Sequence, residues 1–169
     1  MSTINTILIA NRGEIASRVI RTCKKMGIRS IAVHSPIDDN LPFVHEADIA
    51  VKIGDNAPQT SYLDQELIIK TAKEFGADAI HPGYGFLSEN ADFAALCAKN
   101  NIIFIGPNVE AIKAMGSKSE AKILMRKNKV PTIPGYEGQN QDTAYLISEA
   151  KKVGFPLLLK ATAGGGGKG

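Results

Sequence analysis

Short β-branched apolar runs alternate with helix-period stripes, and glycine or proline turns separate them; no other feature restricts the fold of this chain as strongly. Residues 4–10 (INTILIA) form an apolar run that stops at Asn11-Arg12-Gly13, as a buried strand would. Ile15, Val19, Cys23 and Met26 then recur at three- and four-residue spacing, and Gly27 follows, which predicts a helix with a glycine stop. The alternation continues with a strand over 29–34, a polar turn containing Pro36 and Asp38, a short helix near 41–46 and a strand over 48–53. A helix over 62–75 carries Leu63, Leu67, Thr71 and Phe75 on one stripe. A strand over 77–81, the turn Pro82-Gly83-Tyr84-Gly85, a helix near 89–100 carrying Phe93, Leu96 and Cys97, and a strand over 102–105 complete the series. Five strands separated by helical segments imply a parallel sheet with right-handed crossovers and helices on both faces. The expected fold class is α/β, a doubly wound parallel sheet.

The strand pattern ends near 107–117, and a second domain is expected beyond it. Ser117 and Glu120 have the spacing of a capping box at the start of SKSEAKILMRKNK, in which Ala121, Leu124 and Met125 are expected to face inward. VPTIPG is a two-proline turn, 142–153 has the period of an amphipathic helix, and FPLLLKATA predicts a buried strand running into AGGGGKG. The expected division is 1–116 and 117–169. Because the sequence stops within the glycine run, the second domain is expected as its opening part only, and the chain by itself as an incomplete catalyst. There is no internal repeat.

Composition narrows the function classes. With 44% apolar and 22% charged residues, the chain is globular rather than disordered. The net charge of +3 comes without a basic stripe interleaved with aromatics, so no nucleic-acid partner is expected. No apolar run approaches the roughly 18 residues of a membrane span, and MSTINTILIANRGE has neither a basic n-region nor a small-residue cleavage site; no membrane partner and a cytoplasmic location are expected. Cys23 and Cys97 fall on the apolar faces of separate helices, without disulfide or metal spacing, and are expected in the core.

Ligands of open parallel sheets bind beyond the carboxyl ends of the strands, where two unusual stretches are expected: Asn11-Arg12-Gly13-Glu14 and His81-Pro82-Gly83-Tyr84-Gly85-Phe86-Leu87-Ser88-Glu89-Asn90. The first replaces the G-x-G-x-x-G fingerprint of a dinucleotide site, so a Rossmann-like sheet here does not imply an oxidoreductase. By spacing alone, Arg12 and Glu14 form a surface pair at a helix start. The second stretch holds more polar function than a connection requires, although Gly83 and Gly85 also suit positive φ, Ser88 suits a cap, and His81 suits a structural hydrogen bond. Lys160 directly follows an apolar run, where burial without an anion is costly, and phosphate oxygens would supply that anion. The adjoining glycines expose successive N–H groups that can curl around phosphates, Lys168 adds charge, and the run is expected to act as a mobile lid. It is not a Walker A loop, because Gly169 stands where Ser or Thr would follow the lysine.

Taken together, ANRGEIASRVIR, HPGYGFLSENADFA, FIGP, MGSKSEAK and FPLLLKATAGGGGKG, in this order and spacing, resemble the N-terminal part of biotin carboxylases, the ATP-grasp component of acyl-CoA, acetyl-CoA and pyruvate carboxylases. The resemblance covers the whole chain, and HPGYGFLSEN is its most specific element. It implies a Rossmann-like pre-ATP-grasp domain followed by the truncated start of an ATP-grasp domain. The implied reaction activates bicarbonate with ATP to carboxyphosphate and passes carbon dioxide to N1 of biotin on a carrier protein. By resemblance, Lys118 and Lys160 would contact the nucleotide phosphates, Gly165, Gly166 and Gly167 would form the lid, and Tyr84, Gly85, Glu89 and Asn90 would line the biotin and bicarbonate side. Also implied are Mg2+ held by carboxylates beyond this chain, a biotin carboxyl carrier, a carboxyltransferase and a homodimer. Lys24-Lys25 stands where the family often has an acidic residue near the dimer contact. Two alternatives are a stand-alone dimerisation or binding module and another ATP-grasp ligase related to carbamoyl-phosphate synthetases.

Overall fold

A computed structural model describes residues 3–159, with the backbone alone at Lys118. The chain forms two compact units, Met1–Val109 and Glu110–Gly169. In the first, strands β1 (Thr6–Ile9), β2 (Arg29–His34), β3 (Ile49–Lys52), β4 (Ala79–His81) and β5 (Ile103–Phe104) make one parallel sheet in the order β3-β2-β1-β4-β5. Helices α1 (Gly13–Met26), α2 (Pro42–Glu46), α3 (Gln65–Glu74) and α4 (Ala91–Lys99) supply the crossovers.

The expected doubly wound fold follows from how each strand alternates. Ile7, Ile9, Ala32 and Ala79 pack with Ile15, Ala16, Val19, Ile20 and Cys23 of α1 and with Phe43 and Val44 of α2. Leu8, Ala10, Ile31, Val33 and Ile80 point to the opposite face, against Ile68, Ile69 and Ala72 of α3 and Phe93 and Cys97 of α4. Leu8, Ile9, Ile20, Ile31, Ile68 and Ile80 are fully buried, each stabilising the fold by about 1.5–3 kcal/mol. Both cysteines are free and buried, as their helical positions predicted.

Local chemistry sets the ends of the helices. Asp64 caps α3 by accepting from Leu67 N at 3.0 Å, and Asn90 caps α4 by accepting from Phe93 N at 2.8 Å. The Asp64 cap corrects the expected start of the 62–75 helix, because Tyr62 and Leu63 precede it and lie outside the helical stripe. In α1 the buried stripe ends at Cys23, and Met26, expected on that stripe, is 67% exposed at the last helical position.

In the second unit, α5 (Val109–Gly116) starts at the border, α6 (Lys118–Lys127) is capped by Ser117 with Glu120 N at 3.3 Å, and α7 (Thr143–Val153) by Asp142 with Tyr145 N at 3.0 Å. Glu137 accepts from Lys122 and from Arg126 Nη1, and Arg126 Nε donates to Thr132 at 3.0 Å, tying the proline-containing segment back to α6. The buried strand expected in FPLLLKATA does not form over the described part, 155–159. A strand needs a neighbour to satisfy its ladder, and the described sheet lies entirely in the first unit. Phe155, Leu158 and Leu159 are consequently 74%, 76% and 85% exposed. No helix among the described residues is long and apolar enough to cross a membrane.

Candidate functional site

Register brings the candidate residues together. Ile9 lies beside both Ala32 and His81, so the loops leaving β1, β2 and β4 emerge at the same edge of the sheet. An open cavity of about 410 Å³ lies there, lined by Asn11, Arg12 and Gly13 after β1 and by Tyr84, Gly85 and Phe86 after β4.

Asn11 is 4% exposed. Its Nδ2 donates to the carbonyls of Pro82 and Tyr84, both at 2.8 Å, and its Oδ1 accepts from Arg12 N at 2.9 Å. Gly83 N donates to His81 Nδ1 at 3.0 Å, the structural role expected of this histidine. Burial, with a smaller contribution from Arg18, pushes the His81 imidazole below its ordinary value. Gly83 takes φ +65, and a Cβ there would stand 2.7 Å from Asn11 Nδ2, so glycine is required both for its backbone angle and for the close approach.

Arg12 does not form the pair with Glu14 that spacing alone predicted. Its Nε donates to Asp38 Oδ2 at 2.6 Å and its Nη2 to Asp38 Oδ1, a two-pronged contact across the ends of β1 and β2. The same Oδ2 accepts from the Tyr62 hydroxyl at 2.6 Å and from Ser35 Oγ at 3.2 Å, and Tyr62 Oη accepts from Ser35 N at 3.0 Å. The Arg12 guanidinium carbon lies 5.9 Å from the Tyr62 ring centre, within cation–π range. Burial pushes the Asp38 carboxyl up, but the hydrogen bonds from Arg12 and Tyr62, the Arg12 charge and the Ser35 hydroxyl together outweigh it and hold the carboxyl below the usual carboxylate range. Burial, reinforced by Asp38, pushes the Tyr62 phenol up to about 12.

Of the site residues expected from the sequence, Tyr84 and Gly85 line the cavity. Tyr84 is 64% exposed, with its hydroxyl 3.5 Å from Glu14 Oε2, the outer limit of a hydrogen bond. Glu89 and Asn90 stand outside the lining: Glu89 is exposed, and the Asn90 carbonyl oxygen is engaged in capping α4. Lys118 is the first residue of α6, at a helix N-terminus that favours anions. Lys160, Gly165, Gly166, Gly167 and the rest of the glycine run lie outside the described residues. Periodicity did not single out Asn11, Asp38 or Tyr62. Only Asn11, at the carboxyl end of the first strand, had a positional signal.

Comparison with known proteins extends these observations. Residues 3–112 match the family described as biotin carboxylase, N-terminal domain, and residues 117–169 match the carbamoyl-phosphate synthase L chain, ATP binding domain. The methylcrotonoyl-CoA carboxylase subunit alpha, mitochondrial, of Dictyostelium discoideum is 58% identical over 166 residues, covering 98% of this chain and 24% of that subunit. A biotin carboxylase of Nostoc sp. is 56% identical over 163 residues, covering 96% of this chain and 36% of that enzyme. Among solved structures, the biotin carboxylase domain dimer of Hydrogenobacter thermophilus 2-oxoglutarate carboxylase, in complex with MgADP, ADP and bicarbonate, superposes with a TM-score of 0.93 at 47% identity, covering 99% of this chain and 37% of that chain. The chain thus spans between 24% and 37% of the length of these relatives.

Proposed function

Because the chain belongs to the biotin carboxylase family, we propose that it forms the opening part of the biotin carboxylase component of a biotin-dependent carboxylase, an ATP-dependent ligase that carboxylates carrier-bound biotin with bicarbonate. The observation that carries this is the cavity at the carboxyl edge of the sheet, where the HPGYG turn is pinned to the NRGE turn with Tyr84 and Gly85 on its lining. Bicarbonate and MgADP in the Hydrogenobacter domain support the substrate classes.

Within this proposal, residues 1–116 are the pre-ATP-grasp domain and 117–169 the start of the ATP-grasp domain. Lys118 and Lys160 contact the nucleotide phosphates, and Gly165, Gly166 and Gly167 close over them. These are electrostatic tasks, in which fixed cations and oriented N–H groups stabilise charge on a transferring phosphoryl group. Tyr84 and Gly85 face the biotin and bicarbonate side, with Glu89 and Asn90 nearby. The Mg2+ that accompanies ATP is assigned to carboxylates elsewhere in the parent subunit, and the Hydrogenobacter domain with its MgADP supports the metal's presence. The partners are a biotin carboxyl carrier, a carboxyltransferase and a second copy of the subunit, as in the Hydrogenobacter domain dimer. The cytoplasm is the proposed compartment, although the Dictyostelium relative is mitochondrial; fractionating the source cells decides between them.

Bicarbonate- and biotin-dependent ATP hydrolysis tests the proposal. The parent subunit is expected to turn over and the 169-residue chain alone is not; turnover by the chain alone would refute its incompleteness. Lys160→Ala in the parent is expected to raise the KM for ATP by about tenfold or more, and an unchanged KM removes Lys160 from the phosphate site.

A further inference from the structure

The turn bearing Tyr84 and Gly85 contains two residues at φ +65, Gly83 and Gly85, and a free chain of that composition samples many conformations. Two groups from elsewhere in the fold restrict it. Asn11, anchored at the end of the central strand β1, engages the carbonyls on both sides of Gly83 and fits so closely that no side chain can stand at that position. The second restraint acts on Phe86, which holds φ +39, a left-handed angle that is strained for a bulky residue. Its ring lies flat on the Tyr62 ring, with centroids 5.2 Å apart and planes 3° from parallel. Tyr62 is itself immobilised: it is 2% exposed, and its hydroxyl donates to Asp38 and accepts from Ser35 N. Strained angles persist only where the surroundings over-determine them, and the stack on an anchored tyrosine does so here.

On the reading that Tyr84 and Gly85 face biotin, we propose that Asn11 and Tyr62 are positioning residues. Asn11 fixes the Pro82 and Tyr84 carbonyls, Tyr62 fixes Phe86, and the Tyr84–Gly85 segment is thereby held in its binding conformation before biotin arrives. Neither residue needs to touch the reacting atoms. Each raises the fraction of molecules whose turn is competent to bind, and apparent affinity falls in proportion when that fraction falls.

Steady-state kinetics of the parent subunit with free biotin and ATP, together with hydrogen–deuterium exchange of the 169-residue chain, test this. Asn11→Asp keeps the shape but turns a carboxylate oxygen toward two carbonyls, and Tyr62→Leu removes the stack. Both are expected to raise the KM for biotin by at least about tenfold while the KM for ATP stays within about twofold, and Tyr62→Phe, which keeps the ring but loses its anchors on Asp38 and Ser35, is expected to recover only part of the loss. In the chain itself, exchange is expected to accelerate at residues 83–88 and not across the sheet. An unchanged biotin KM in folded variants, or equal rises for biotin and ATP, overturns the proposal. Should the wild-type parent not use biotin, the assignment of Tyr84 and Gly85 fails, and exchange decides separately: faster exchange confined to 83–88 sustains the clamp and unaltered exchange refutes it. If Asn11→Asp does not fold, the Tyr62 pair of variants carries the same comparison.

Discussion

Arg12 reaches across the carboxyl edge of the sheet to Asp38, with Nε 2.6 Å from Oδ2, and leaves Glu14 on its own helix to the Tyr84 hydroxyl. The Asp38 side chain is 2% exposed and that of Arg12 45%, so the carboxylate depends on its hydrogen bonds while the guanidinium remains partly hydrated. Loops after β1 and β2 and the segment before α3 meet on this one carboxylate.

The arrangement makes stability depend on pH at both extremes. A carboxyl whose folded value lies below its unfolded value, about 3.9, stabilises the fold above that pH, and the contribution disappears as pH falls through the folded value. The Tyr62 phenol, raised from 10.0 to about 12, has the opposite sign: its contribution is complete below pH 10.0 and is lost as pH climbs toward 12. Asp38→Asn is expected to cost about 2–4 kcal/mol at neutral pH, at or below the range for fully buried pairs because Arg12 is half exposed. It should also flatten the acid limb. Urea denaturation followed by circular dichroism across pH 3 to 11 checks both.

Gly83→Ala combines a positive φ with a contact that the fold cannot easily relieve, since Asn11 Nδ2 is held by two carbonyls. The expected loss is about 1–3 kcal/mol, from backbone strain and the displaced asparagine together. Thermal unfolding of the variant beside Gly85→Ala, which also has φ +65 but meets no atom within 4 Å, separates the angle from the contact.

Much of the architecture follows from periodicity. The two-residue alternation of β1, with Ile7 and Ile9 on one face and Leu8 and Ala10 on the other, already requires cover on both sides. The helix periods place Cys23 and Cys97 inside. The Asp38 node was not legible, because Arg12, Asp38 and Tyr62 meet only once strand order and register are fixed, and hydrophobic spacing specifies neither. Tyr62 falls within the helix expected over 62–75, yet Asp64 caps the helix after it, and the Tyr62 ring lies on Phe86 instead. The run 155–159 reads as a buried strand from its composition, but composition does not supply a neighbouring strand.

Both cysteine thiols are raised by burial, Cys97 to about 12. Thiolate is the reactive form, so neither is expected to react appreciably with iodoacetamide at pH 7.5 in the folded chain. Both should be alkylated in urea. Intact-mass spectrometry counts the adducts, and rapid native labelling at Cys97 would show that the α4 face opens.

The strand order has a consequence for biosynthesis. β1 is made first but lies at the centre of the sheet, and its second neighbour, β4, is not complete until His81 has been made. Asp78 then ties that edge by accepting from the backbone N–H groups of Asn5 and Thr6 at 2.8 and 2.9 Å. Until then a nascent chain carries the strand Thr6–Ile9 with one hydrogen-bonding edge open, a template for pairing with other chains. That edge stays unpaired until His81 has been added, so the length of its exposure is set by the rate of translation rather than by the stability of the finished sheet.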